Sequence, residues 1–287
     1  MREPWQIQLY RRSIKKKETM RAVLRLLPPV HGMRCLEIGC ATGTSSWLLR
    51  QRGGQWTSTD FEAEQVESAR QLLNDEVRLI DASGLPFADE SFDVVVGINF
   101  LEHLSNDVEF VREMVRVLKP GGVFILTCPD GVSSRLGYRL KKLYRFTADT
   151  GGFGHVRDGY LRPEVEQLMR TVGLETQRLD SYSRLFTEFV ENSLNFVYHR
   201  SAAKKQQEKT GSAGQFHGET SPATGKDLQA VGVKYRIYKS MYPLLRGVSL
   251  MDRLIPFREG YMFCVRAVKP EVPSASATMY TRERAAM

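Results

Sequence analysis

An acidic residue placed directly against a glycine turn is a ligand-binding signal, and this chain carries one in Leu36-Glu37-Ile38-Gly39-Cys40-Ala41-Thr42-Gly43. Gly39 and Gly43 allow the backbone to turn tightly and to come close to a bound molecule. Thr44 to Arg50 reads as the start of a helix, whose unpaired N–H groups suit an anionic group. Glu37 asks for the opposite charge: its carboxylate would repel a pyrophosphate and attract an ammonium or a sulfonium. A ligand bearing both a carboxylate and a cation meets both demands better than a dinucleotide. The dinucleotide fingerprint G-x-G-x-x-G is also broken, because Ala41 and Thr44 stand at its second and third glycine positions.

Asp60, Asp81 and Asn99 fall at or just past the ends of other apolar runs. Two histidines follow, His103 in Leu101-Glu102-His103-Leu104 and His155 in Gly154-His155-Val156-Arg157-Asp158-Gly159-Tyr160. Imidazole is suited to proton transfer near neutral pH, so His103 and His155 are the candidate catalytic residues. Each also has a plainer reading, as a helix-entry histidine bonded to backbone or as a structural or substrate-positioning group. Cys35, Cys40, Cys128 and Cys264 lack the paired spacing of a metal site and are expected to be reduced and buried, and no metal is expected.

Bringing the polar groups together requires strands that end at one edge. Met33 to Ile38, Gln55 to Thr59, Glu76 to Ile80, Phe92 to Ile98 and Val123 to Cys128 read as strands. Glu62 to Leu73 reads as a helix, and so does the stripe Val108, Val111, Val115, Leu118, which Asn106 and Glu109 introduce as a capping box and Pro120-Gly121-Gly122 ends. Leu161 to Val172, Leu174 to Leu179 and Tyr261 to Val268 add a helix and two strands. Alternation of this kind implies crossover units and a parallel sheet covered on both faces, with ligands bound beyond the carboxyl ends of the strands.

Composition and charge set the surroundings. The 287 residues, 42% hydrophobic, can bury one large core with an appended lobe. No apolar run reaches the roughly 18–20 residues of a membrane span, and no secretory segment follows the basic N-terminus, so a cytoplasmic location is expected. The formal net charge is +8, yet residues 33–130 hold 8 Lys or Arg against 16 Asp or Glu, leaving −8 there and +16 elsewhere. An acidic centre suits a cationic ligand, and basic flanks suit an anionic surface, with ordinary solubility charge as the alternative.

The order of these elements and the residues at their ends resemble the class I S-adenosylmethionine-dependent methyltransferases, in the subgroup acting mostly on small molecules and lipids. The markers are the Leu36 to Gly43 run, Asp60, Asp81-Ala82 with Leu85-Pro86-Phe87, Phe92-Asp93-Val94-Val95, Leu101-Glu102-His103-Leu104 and Leu118-Lys119-Pro120-Gly121-Gly122. The resemblance covers about residues 33 to 180. It implies a doubly wound α/β fold, with a mostly parallel, seven-stranded, Rossmann-like sheet and a helical insertion before the last strand. It implies S-adenosylmethionine as cofactor, with Gly39, Cys40, Ala41 and Gly43 passing under its methionine part and Glu37 near its amino group. Asp60 would take the ribose hydroxyls with Phe61 beside it, Asp81 and Ala82 would face the adenine, and Asn99 and Phe100 would border the methyl group. Ala41 departs from the family's usual middle glycine.

The expected organisation is a basic N-terminal helix within 1–32, the donor-binding domain 33–183, a helical lid 184–260 with a flexible stretch 201–226, the last strand within 261–270 and a tail 271–287. A helix from Leu185 to Tyr198 and the apolar, basic stretch Val233 to Leu254 would build the lid. Aromatic and aliphatic lid residues and the basic amphipathic segment Arg135 to Arg145 favour a small or amphiphilic methyl acceptor: a lipid, a quinone precursor or a lipid-linked sugar. An anionic membrane surface, with the protein peripheral to the inner face, is a candidate partner. Nucleic acid is disfavoured because the basic residues are split among distant segments. The alternative from another class is a catalytically inactive relative that binds the donor to regulate a partner.

Overall fold

The computed structural model describes residues 3–131, 156–157, 159–191, 193, 232–255 and 259–271. Seven strands, β1 (Arg34–Ile38), β2 (Gln55–Asp60), β3 (Val77–Leu79), β4 (Phe92–Ile98), β5 (Leu118–Pro129), β6 (Glu175–Tyr182) and β7 (Met262–Val268), form one sheet in the order β3-β2-β1-β4-β5-β7-β6. Neighbours from β3 through β5 are parallel, whereas β7 runs antiparallel to both β5 and β6. The chain leaves β1 toward β2 on one side and returns to β4 on the other, which opens a crevice at the carboxyl ends of β1 and β4.

Both faces are covered, and β1 and β4 are accordingly buried nearly throughout. On one face α2 (Ile14–Leu26) packs Met20, Val23 and Leu26 with Val94, Val96, Ile125 and Cys264. On the other, α5 (Asp107–Val117) and α6 (Arg162–Thr171) set Phe110, Met114, Leu168 and Met169 with Leu36, Val95, Phe124 and Val265. The other α-helices among the described residues are α1 (Trp5–Tyr10), α3 (Thr44–Arg50), α4 (Ala63–Leu73), α7 over 185–191 and α8 (Gly232–Leu250).

Several elements differ from the expected ones. The N-terminal helix breaks in two, because Ser13 leaves helical backbone geometry and its hydroxyl caps α2 by accepting from the Lys16 N–H at 3.2 Å. The freed α1 reaches α4, where the Gln6 amide donates to the Ser68 carbonyl at 3.3 Å. Asn106 forms no capping box: its side chain donates to the Ala82 carbonyl at 2.8 Å, tying the start of α5 to the loop after β3. Strand β6 continues three residues past Leu179, to Tyr182, held by its antiparallel pairing with β7. Of the helix expected from Leu185 to Tyr198, the part over 185–191 is observed. His155, the segment Arg135 to Arg145, the stretch 201–226 and the tail from 272 lie outside the described residues. Among the described residues no helix is long and apolar enough to cross a membrane.

Candidate functional site

The turn between β1 and α3 is fixed by strand β2. The Gly39 and Cys40 N–H groups both donate to the Thr59 carbonyl, at 3.0 and 3.1 Å. Gly39 has φ +79, and a Cβ there would stand 2.9 Å from the Ile98 carbonyl oxygen, so the turn presses directly on the end of β4. Gly43 has φ +86 and packs on Ala69 of α4, at 2.9 Å from the same hypothetical Cβ to the Ala69 Cα. These two contacts are the reason only glycine fits at either position. Ala41, between them, also takes positive φ, +46, and carries the cost of its methyl group.

Asp60 ends β2 and closes the turn from the other side. One carboxylate oxygen accepts from the Ala41 N–H at 2.7 Å and the other from the Glu62 N–H at 3.1 Å. Burial raises its carboxyl above the usual range, while the Glu62 and Ala41 amides pull it back down. Each oxygen can accept more than one hydrogen bond, so the group can hold the turn and a ligand hydroxyl pair together.

Glu37 is fully buried. Its Oε2 accepts from the Ser46 hydroxyl on α3 and from the Ser58 hydroxyl on β2, the latter at 2.9 Å, so the side chain pins a helix and a strand to the turn. Its Oε1 is buried with no hydrogen-bond partner. Burial raises this carboxyl, against the lowering effect of the serine hydroxyls. An acceptor left orphaned in this way costs about 1–3 kcal/mol until a donor reaches it. A cationic amino group is the kind of donor that would relieve it, and by that test the residues fit a donor molecule bearing an ammonium.

The other expected contacts divide into those at the surface and those drawn inside. Asp81 is exposed, takes the Ser83 N–H at 2.7 Å and the Ser83 hydroxyl, and is held below its ordinary range by them. Ala82 is partly buried, and its carbonyl is held by Asn106. Asn99 adopts φ +48 just beyond β4, and its side-chain amide oxygen accepts from the Thr127 hydroxyl at 2.6 Å. Phe100 turns inward, stacking with Phe61 at 5.9 Å between centroids and meeting Phe110 edge-on at 5.7 Å. Of the pair Asn99 and Phe100, Asn99 is therefore the one left at the crevice. The Cys40 side chain points away, buried with Val66, Ala69 and Val77, so the turn offers backbone there and no thiol. The other three cysteines are buried too, and burial pushes the Cys35 and Cys264 thiols up to about 12. Among the described residues no cluster suits a metal ion.

His103 is exposed on a single 3-10 turn, Leu101–His103, and its N–H donates to the Phe100 carbonyl at 3.0 Å. Val156, which follows His155 in the chain, donates to the Glu102 carbonyl at 2.9 Å. The structure therefore ties the chain beside His155 to the loop that carries His103.

Some positioning residues carry no motif. Arg116 on α5 donates to the Leu85 and Phe87 carbonyls, both at 2.9 Å, and pairs with Glu113, so it shapes the loop between β3 and β4. Asp107 accepts from the Tyr160 hydroxyl at 2.7 Å and pairs with Arg157 at 3.2 Å, fixing the chain beside the histidine loop. Their signal in the sequence is only that of ordinary helix and loop charges.

Residues 36–126 match the family described as a methyltransferase domain. A demethylmenaquinone methyltransferase from Clavibacter sepedonicus is 36% identical over 126 residues, covering 42% of this chain and 51% of the relative. A mitochondrial ubiquinone biosynthesis O-methyltransferase from Mus musculus is 27% identical over 219 residues, covering 67% of this chain and 58% of the relative. The chain spans only about half the length of the curated relatives it matches. In fold it superposes on a possible histamine N-methyltransferase from Thermotoga maritima with a TM-score of 0.54 at 17% identity, covering 91% of this chain and 92% of that one. With the turn, the acid at the end of β2 and the 3-2-1-4-5-7-6 strand order in place, residues 36–126 match as a methyltransferase domain, in a chain similar to S-adenosylmethionine-dependent methyltransferases.

Proposed function

We propose that this chain transfers a methyl group from S-adenosylmethionine to a small amphiphilic acceptor of the quinone-precursor class. The observation that carries the donor half is Asp60, a buried carboxylate tied to both Ala41 and Glu62 at the topological switch point. The acceptor half is supported by the helix over 185–191, which follows β6 onto the same edge and brings Phe186, Val190 and the exposed Phe189 there. It is also supported by relatives whose names carry a quinone.

When bound, the sulfonium donor supplies an activated methyl group, so no protein nucleophile is needed. The chain's task is alignment and the exclusion of water. Asp60 would hold the ribose hydroxyls, Asp81 and Ala82 the adenine edge, the Gly39–Gly43 backbone the amino-acid part, and the free Glu37 Oε1 its ammonium. Asn99 would border the reacting carbon. An acceptor hydroxyl or carbon acid must lose a proton, and His103 is the described side chain offered for that, with His155 the second candidate. The competing reading is a donor-binding regulatory protein without turnover, since binding residues alone do not establish catalysis.

Transfer of labelled methyl to total lipid, soluble metabolite, protein and RNA fractions tests the proposal. Label in the lipid or quinone fraction is expected. Label confined to protein or RNA would refute the acceptor class, and label nowhere, with donor binding intact by calorimetry, would favour the regulatory reading.

A further inference from the structure

Helix α8 (Gly232–Leu250) and the 3-10 turn Met251–Leu254 present two different faces. The inner face is anchored. The Tyr242 hydroxyl accepts from the Lys17 ammonium at 2.9 Å, and the Thr187 and Ser249 hydroxyls are bonded at 3.1 Å. The buried Asp252 carboxylate accepts from the Phe186 and Thr187 N–H groups at 2.8 and 3.0 Å, so it caps the start of α7. The outer face is apolar and bare: Met241 is 47% exposed, Leu244 68%, Met251 41% and Leu254 73%. Residues 241, 244, 248 and 251 recur at helical spacing, and Val248 between them is half-buried. Four large apolar side chains held in water along one line are a contact surface, whereas scattered single ones would mean nothing.

The charges say what the surface would meet. Among the side chains described in this segment, Lys239 and Arg253 are exposed, and its one acid, Asp252, is the buried cap. The segment therefore offers solvent no negative charge of its own. Exposed leucines and methionines with basic residues on the same segment match a bilayer interface, where acyl chains take the apolar groups and anionic headgroups the cations. We propose that the outer face of α8 and the turn after it docks on an anionic lipid surface. Because Asp252 and Ser249 hold this segment against α7, docking would set the acceptor edge of the sheet against the membrane, where an amphiphilic acceptor is stored. The docking itself does not depend on which acceptor is methylated.

The test is flotation of the full chain with vesicles of phosphatidylcholine alone and of phosphatidylcholine with phosphatidylglycerol. Wild type should float with the anionic vesicles and weakly or not at all with the neutral ones. The double variant Leu244→Asp with Leu254→Asp should lose roughly 30-fold or more in vesicle affinity, and Lys239→Glu with Arg253→Glu should lose the preference for anionic lipid. Both should keep the wild-type melting temperature and donor affinity, which shows that they fold. Absence of wild-type flotation, or flotation that the leucine variant leaves unchanged, would overturn the proposal. So would a concentration-dependent dimer that the leucine variant dissolves without any vesicle binding, since the occupant would then be a second copy. Methyl transfer to a detergent-dispersed quinone precursor, measured separately, reports on the acceptor class whichever way flotation falls.

Discussion

Glu37→Gln separates two roles that the geometry assigns to one side chain. The amide keeps the shape of the carboxyl and an oxygen that can still accept from Ser46 and Ser58, so the clamp between α3 and β2 survives. What it removes is the charge on the orphaned Oε1. A hydrogen bond to a charged group contributes about 1.5–3 kcal/mol, so if the donor's ammonium meets this oxygen, Kd for S-adenosylmethionine should rise roughly 10- to 150-fold. Stability should move the other way. Burial raises the Glu37 carboxyl above 4.5 in the folded protein. A group raised on folding contributes stability that is present below its unfolded pKa and lost as pH climbs through the folded one. Wild type should therefore lose stability relative to the glutamine variant as pH rises from about 4.5, and near neutrality the variant should melt no lower than wild type. In parallel, wild-type donor affinity should decline toward that of the variant as the carboxyl protonates in acid. Calorimetry across pH 5–8 with thermal denaturation of the same samples measures both. Equal donor affinity in the two proteins over that range would refute the ammonium role and leave Glu37 a clamp alone.

Asp60→Asn turns an amide N–H toward either Ala41 or Glu62, both of which are donors; a loss of donor affinity of at least about tenfold is expected, from one charged hydrogen bond of about 1.5–3 kcal/mol, and calorimetry showing unchanged binding would contradict it. Ala41→Gly should stabilise the protein by about 0.5–1 kcal/mol, because relief of the positive φ exceeds the added unfolded-chain entropy, and should raise Tm by about 1–3 °C. Gly97→Ala places a Cβ 2.5 Å from the Phe100 ring, which Phe61 and Phe110 confine, so a loss of about 1–3 kcal/mol in chemical denaturation is expected. His103→Gln should lower kcat with donor Kd unchanged if the imidazole takes the acceptor's proton; an unaltered kcat would assign it a structural part.

The glycine turn was legible because its residues are forced by backbone geometry. Gly39 and Gly43 must be glycines where the chain presses on Ile98 and Ala69, and Asp60 must end a strand to reach the turn's amides. Requirements of that kind are local, so spacing carries them, and the alternation of strands and helices followed from periodicity for the same reason. Other features depend on residues far apart in the chain. Ser13 breaks the N-terminal helix in a basic run that by itself reads as continuous, and α1 then finds its place on Ser68. Asn106 looks like a helix cap until Ala82 lies beside it. Phe100 looks like a ligand contact until Phe61 and Phe110 draw it inward, and Glu37 looks like an open binding group until Ser46 and Ser58 enclose it. Sequence alone determined the class of fold and a turn suited to a ligand with a carboxylate and a cation, because those rest on periodicity and turn chemistry. Tertiary structure decided which side chains face the crevice and which face of α8 faces water, because burial belongs to the packed whole.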